Sequence, residues 1–310
     1  MNGTYLNRLI LAVAIACGAL GCASSKPQTN ASEAKTSGRA QPERTADSYL
    51  AEALATYQLQ RDGARALNLM AAAAKQAPTR PDIAYAQVSL CEAINGCGPE
   101  PFEARLRKLD PGNAVVWMRP LSAAQRARDT AVEGQIIDAI GRSERFDLYW
   151  NRLAANLTLT RSTGTAVSEA ALSETITWMS ATIVPDFQVL TFSCARARTG
   201  EMAWADRCRR VARVLMNGDT YIAESVGLAI AKQVTADPIE LSNLDARART
   251  SRYLWRTAAE LIAAQVERDK FASEQIELMS KLRREQDMHL AIVRWSGRPV
   301  IPPKDFTMDD

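Results

Sequence analysis

The chain has 310 residues, with 38 Lys and Arg against 35 Asp and Glu and a net charge of +3. So small an excess gives no electrostatic case for nucleic acid, which calls for a concentrated basic face. The single histidine, His289, excludes multi-histidine metal sites and leaves no partner set for histidine-based catalysis. Alanine dominates many segments, aromatics make up only 6%, and the sparse Gly and Pro fall between stretches of helical periodicity. That pattern predicts an all-α protein with closely approaching helices. No stretch alternates as a strand does.

The N-terminus carries Arg8, then the apolar run Leu9 to Leu20, then Gly21-Cys22-Ala23-Ser24-Ser25. The run has the length of a signal-peptide core and falls short of the roughly 20 apolar residues that span a bilayer. A small residue before cysteine, followed by small polar residues, resembles the lipobox of bacterial lipoproteins. Ala19 stands where that motif most often has Leu. The resemblance implies cleavage before Cys22, lipidation of its thiol and acylation of the new amine. Several acyl chains anchor a protein firmly, whereas one binds marginally. Ala23, rather than Asp, after the cysteine implies sorting to the outer membrane. Cys17 is a rival acylation site with a shorter apolar run before it, and an ordinary cleaved secretory signal is the alternative. Residues 24–45 contain no Leu, Ile, Val, Phe, Trp or Tyr, so they read as a tether that cannot bury enough apolar surface to order itself.

Four cysteines remain beyond the signal: Cys91, Cys97, Cys194 and Cys208. An exported chain meets an oxidising compartment, where an even count reads as disulfides. Of the three pairings, the local one is favoured. Cys91–Cys97 closes a short loop around the turn-forming Asn95-Gly96. Cys194–Cys208 flanks Thr199-Gly200, the expected turn of a helix pair. Metal binding competes, but the C-x2-C spacing and a neighbouring His are missing.

In chain order, helices are expected over 46–61, 64–76, 82–94 (with Asp82 as cap) and from Pro99 to Leu109, then from Trp117, over 130–141 and over 146–160. Tyr57, Ala66, Met70, Ala73 and Pro78 fall at the spacing of a tetratricopeptide repeat, and Leu109-Asp110-Pro111-Gly112-Asn113 with Trp117 and Leu121 is similar to the start of another. Leu50 and Leu54 stand where the family usually has Trp and Gly, and Glu133 where it has Ala. The resemblance covers about 48–160 and implies stacked helix hairpins in a short irregular solenoid. Residues 161–167 form the expected boundary to a second helical array through 296, with helices near 168–182, 186–198, 202–216, 219–234 and 239–251. Asp219 is expected to cap the fourth of these after Gly218. The absence of Gly and Pro from Ile239 to Ser296 allows one or two long helices. Residues 297–310 read as a tail packing back through Val300, Ile301 and Phe306.

No phosphate loop, nucleophile elbow, zinc-protease motif or calcium loop is present. Arg207, Arg209, Arg210 and Arg213 alternate with apolar positions as on a solvated helix face. Catalysis would have to rest on carboxylates: Glu92, Glu100, Glu103, Asp110, Asp147, Glu174, Asp186, Glu201, Asp206 or Glu224. Of these, Glu224 lies amid apolar residues, as a glycosidase acid would. Trp117, Tyr149, Trp150, Trp178, Trp204 and Trp255 either line a groove or fill the core, the second being commoner. The expected function is a non-catalytic scaffold or protein-binding module on the periplasmic face of the outer membrane. It would use no cofactor or metal, contact the membrane through its anchor alone and hold an envelope or periplasmic protein. The alternatives are a Glu-dependent cell-wall glycan hydrolase and a small-ligand carrier with an apolar cavity in the second half.

Overall fold

A computed structural model describes residues 44–162, 167–195 and 202–307. Cys22, the signal and all but the end of the tether lie outside these residues, as does Thr199-Gly200. Among them there are fourteen α-helices and no strand, so the protein is all-α.

The first hairpin pairs α1 (Ala46–Ala55) with α2 (Gly63–Gln76). Thr45 caps α1 by accepting from Ser48 N, and Asp62 caps α2 by accepting from Arg65 N. Between them a π-helical turn, Thr56–Gln60, ends at Arg61 with φ 57°. Leu50, Leu54, Ala66, Met70 and Ala73 are all buried at the interface, where the alanines allow close approach. Next comes α3 (Pro81–Ala93). Asp82 does not cap it. Arg80 holds the cap position, Pro81 starts the helix, and the fully buried Asp82 accepts two bonds from Arg80 at 3.1 and 2.5 Å. Arg80 also donates to Asp47 at 2.8 Å and so ties α3 to α1. Then follow α4 (Glu100–Leu109), a 3₁₀ turn (Ala114–Trp117), α5 (Met118–Ala127) and α6 (Thr130–Arg142). Glu133 is buried, where it accepts from Ser193 Oγ at 2.6 Å and Gln125 Nε2 at 3.4 Å.

The helix expected from residue 146 begins only at Trp150, as α7 (Trp150–Arg161), because residues 144–149 spend their backbone groups on other segments. The remainder comprises α8 (Glu169–Thr182), α9 (Gln188–Ala195), α10 (Met202–Met216), α11 (Tyr221–Val234), α12 (Pro238–Ala263), α13 (Arg268–Lys281) and α14 (Glu285–Trp295). The stretch after Ile239 is thus three helices, not one or two. It breaks without Gly or Pro at 282–284 because tertiary partners compete for the backbone there. Asn151 Nδ2 donates to Leu282 O at 2.9 Å, and Glu285 N to Asp219 O at 2.8 Å. In the tail, Phe306 meets Tyr253 edge-on at 5.2 Å, whereas Ile301 is 74% exposed and does not pack.

The two expected disulfide pairs are joined, Cys91 to Cys97 with Cα atoms 5.3 Å apart and Cys194 to Cys208 at 5.6 Å. Residues Arg44–Asp310 form one compact unit. The expected boundary at 161–167 does not divide it, since α6 packs on α10 and α7 on α13. Helices α10 and α11 approach closely at Gly227. A methyl group on Gly227 would lie 2.6 Å from Met216 N and 2.8 Å from Ala212 O. Gly227→Ala should therefore force the helices apart and lower unfolding stability by about 1–3 kcal/mol in urea titration. An unchanged midpoint would show that this packing does not constrain the fold.

Candidate functional site

The loops around Asn113, residues 143–149 and Asp219 meet in a buried polar junction. Asn113 is fully buried. Its Nδ2 donates to Asp147 O at 2.8 Å, Asp110 Oδ2 at 3.2 Å and Tyr149 Oη at 3.2 Å, and its Oδ1 accepts from Asp147 N at 3.0 Å. Ala114 N adds a bond to Arg145 O at 2.8 Å, so the two loops pair like a fragment of sheet. Asp219 clamps the other side. Its carboxylate accepts from Leu148 N and Trp150 N, each at 3.0 Å, while its own N–H donates to Phe146 O. The cap role expected of Asp219 falls to Thr220 instead, whose Oγ1 accepts from Ala223 N at 3.3 Å. Tyr149 sits at φ 56°, a left-handed conformation costly for a bulky residue. Asp147 Oδ1 holds it there by accepting from Tyr149 N at 2.8 Å, and its hydroxyl donates to Asp110.

Burial raises the Asp219 carboxyl well above the usual carboxylate range, and the neighbouring Asp147 carboxylate adds to the effect by charge and by hydrogen bonding. Nearby, burial moves Glu285 up to about 7, partly offset by the bond from Tyr221 N. Burial moves His289 down to about 4, with its ring stacked on Tyr221 at 5.2 Å.

Tyr85 links this junction to a surface cleft. Its ring lies 5.9 Å from that of Tyr149, and its hydroxyl donates to Ile183 O at 2.6 Å. The cleft holds about 40 Å³. One wall is α3, with Val88, Ser89 and Glu92. The others are α4 with Glu103 and Leu106, the 3₁₀ turn and start of α5 with Val115, Met118 and Arg119, and the segment from Thr182 to Pro185. Arg119 Nε lies 2.5 Å from Glu103 Oε1, and Arg107 approaches the same carboxylate at 3.6 Å. Glu92 is exposed and makes no ion pair or hydrogen bond. The Cys91–Cys97 bridge closes the loop directly beside it.

The carboxylates singled out from sequence therefore separate. Glu92 and Glu103 come together in the cleft, and Asp110 and Asp147 in the junction. Glu224 is buried under Arg247 Nε at 2.8 Å, with Ser251 and Gln286 each at 3.2 Å. It lacks the unpaired, pocket-facing placement that a glycosidase acid needs. Glu174 pairs with Arg161 and Asp206 with Arg209, while Asp186 accepts from Gln188 N. Glu100 is exposed, and Glu201 lies outside the described residues. Trp150, Trp178 and Trp204 fill the core, and Trp117 and Trp255 are half-buried with Arg107 and Arg252 against their rings. Sequence reasoning missed Asn113 and Arg119 as site residues and gave Asp219 the wrong role. Only the Asn113 position after Asp-Pro-Gly hinted at a loop function. Among the described residues no group of acidic, His or Cys side chains could hold a metal ion, and no helix is long and apolar enough to cross a membrane.

Because its folded pKa is raised, Asp219 stabilises the fold fully below its unfolded value of 3.8 and loses that contribution as pH rises through the folded value. Asp219→Asn keeps the group neutral and still accepts from both backbone N–H groups. Its urea midpoint should fall less than that of the native chain as pH rises above the unfolded value of 3.8; parallel curves would contradict the assignment. Glu285 and His289 are present in both proteins, so the comparison isolates the substituted group. Comparison with protein-family models, curated proteins and solved structures gives no match.

Proposed function

We propose that the protein is a lipid-anchored, non-catalytic binding module on the periplasmic face of the outer membrane. The lipobox-like sequence at Cys22 supplies the anchor, and residues 24–45 the spacer. The two disulfides within the helical unit support an oxidising compartment. The observation that carries the binding role is the cleft between α3, α4 and the 182–185 segment, which presents a free carboxylate beside apolar walls without a catalytic constellation. The tandem hairpins before residue 161 are read as a short solenoid of the tetratricopeptide type, whose exposed helix faces commonly bind protein segments.

The hydrolase alternative loses its leading residue to Arg247. The carrier alternative is disfavoured because Val211, Leu215, Val226 and Ile230 fill the interior of the second half.

Mass spectrometry of the protein from native membranes should give a chain starting at Cys22 with acyl chains attached, gaining about 4 Da on reduction of two disulfides. Cys22→Ala should move it from the membrane to the soluble fraction. Crosslinking in intact envelopes should then capture a reproducible protein partner. An unlipidated chain, or no reproducible partner, would overturn the corresponding part of the proposal.

A further inference from the structure

We infer that the cleft beside Glu92 takes a lysine side chain from the partner polypeptide. This rests on the binding-module reading and names the chemistry the module recognises. Three observations carry it.

The first is size. The cleft's roughly 40 Å³ exceeds what one water needs, about 10–15 Å³, but is far below the several hundred that enclose a drug-sized molecule. It admits the end of one side chain rather than a whole small molecule. The second is lining. Val88, Leu106, Val115 and Met118 are buried side chains forming apolar walls, against which the methylene groups of a lysine lie favourably.

The third is charge. Arg119 and Arg107 both reach Glu103, at 2.5 and 3.6 Å, which leaves Glu92 as the carboxylate of the lining without an ion pair. Glu92 has no hydrogen bond or ion pair of its own. Ser89, one helical turn earlier on the same face, spends its hydroxyl proton on Tyr85 O at 3.1 Å and so offers a lone pair. An ammonium group entering along the apolar walls meets two acceptors, Glu92 and Ser89. A carboxylate entering the same way meets Glu92 and is repelled. A guanidinium is bulkier than an ammonium and fits so small a cleft less well.

The test uses the full chain labelled with ¹³C at its methionine methyls, since Met118 lines the cleft. The probe is lysine capped as its acetyl methylamide, with capped norleucine and capped glutamate as controls. The expected result is a saturable shift of the Met118 methyl resonance with capped lysine, a weaker response to norleucine and none to glutamate. Glu92→Gln should weaken capped-lysine binding about tenfold, as expected for loss of a charge-assisted bond. Its thermal unfolding should match that of the native chain, because Glu92 is exposed and unpartnered. No shift with capped lysine, an equal shift with norleucine, or undiminished affinity in Glu92→Gln would each overturn the inference. If envelope crosslinking still captures a partner in that event, the binding-module reading stands and only its lysine chemistry fails.

Discussion

Most of the architecture between the first hairpin and the C-terminal helices depends on how residues 143–149 are satisfied. The segment leaves α6 and enters α7 without regular structure, so its buried N–H and C=O groups need partners from elsewhere. Asn113 serves one edge with both ends of its amide, and Asp219 serves the other with both carboxylate oxygens. Asp219 O in turn accepts from Glu285 N, which fixes the start of α14. Three loops distant in sequence are thereby cross-braced by two side chains. An unmade bond at such a site costs more than the made bond contributes, so the arrangement is selective about what can stand at either position.

The same logic explains the strained Tyr149. A left-handed tyrosine is tolerated where its surroundings over-determine it. Here the backbone N–H, the hydroxyl and the ring are all engaged, by Asp147, by Asp110 and by Tyr85 respectively. Tyr85 is also a wall of the cleft. The polar junction and the proposed binding surface are consequently one continuous packed structure, in which the floor of the cleft is braced from behind by the loop junction.

The all-α class and most helix positions were legible because alanine-rich periodicity and Gly or Pro breaks speak through local physics. The disulfide pairing was legible for the same reason, since short loops around turn residues constrain it. What was not legible was the outcome of long-range competition. Asp82 looks like a cap and instead anchors Arg80; Asp219 looks like a cap and instead binds a loop some 70 residues away in sequence. The breaks at 264–267 and 282–284 carry no breaker residue, and at the second of them tertiary bonds win. Of the candidate site, Glu92 and Glu103 stood among ten carboxylates with nothing local to single them out. Their pairing across a cleft depends on the angle between α3 and α4, which sequence spacing does not encode.

The C-terminal tail is gripped in an unusual currency. Arg249 donates to the main-chain carbonyls of Pro303, Lys304 and Phe306, and Tyr253 to that of Pro299. Carbonyl oxygens are the same at every residue, so the grip reads the path of the tail and is blind to most of its side chains. Between Pro299 and Phe306 this grip places no demand on the exposed side chains of Ile301, Lys304 and Asp305, whereas Val300 packs against the core and Pro302 is buried. The specific demands fall on Arg249 and Tyr253 of α12, on the ring of Phe306 set against them, and on Val300 and Pro302.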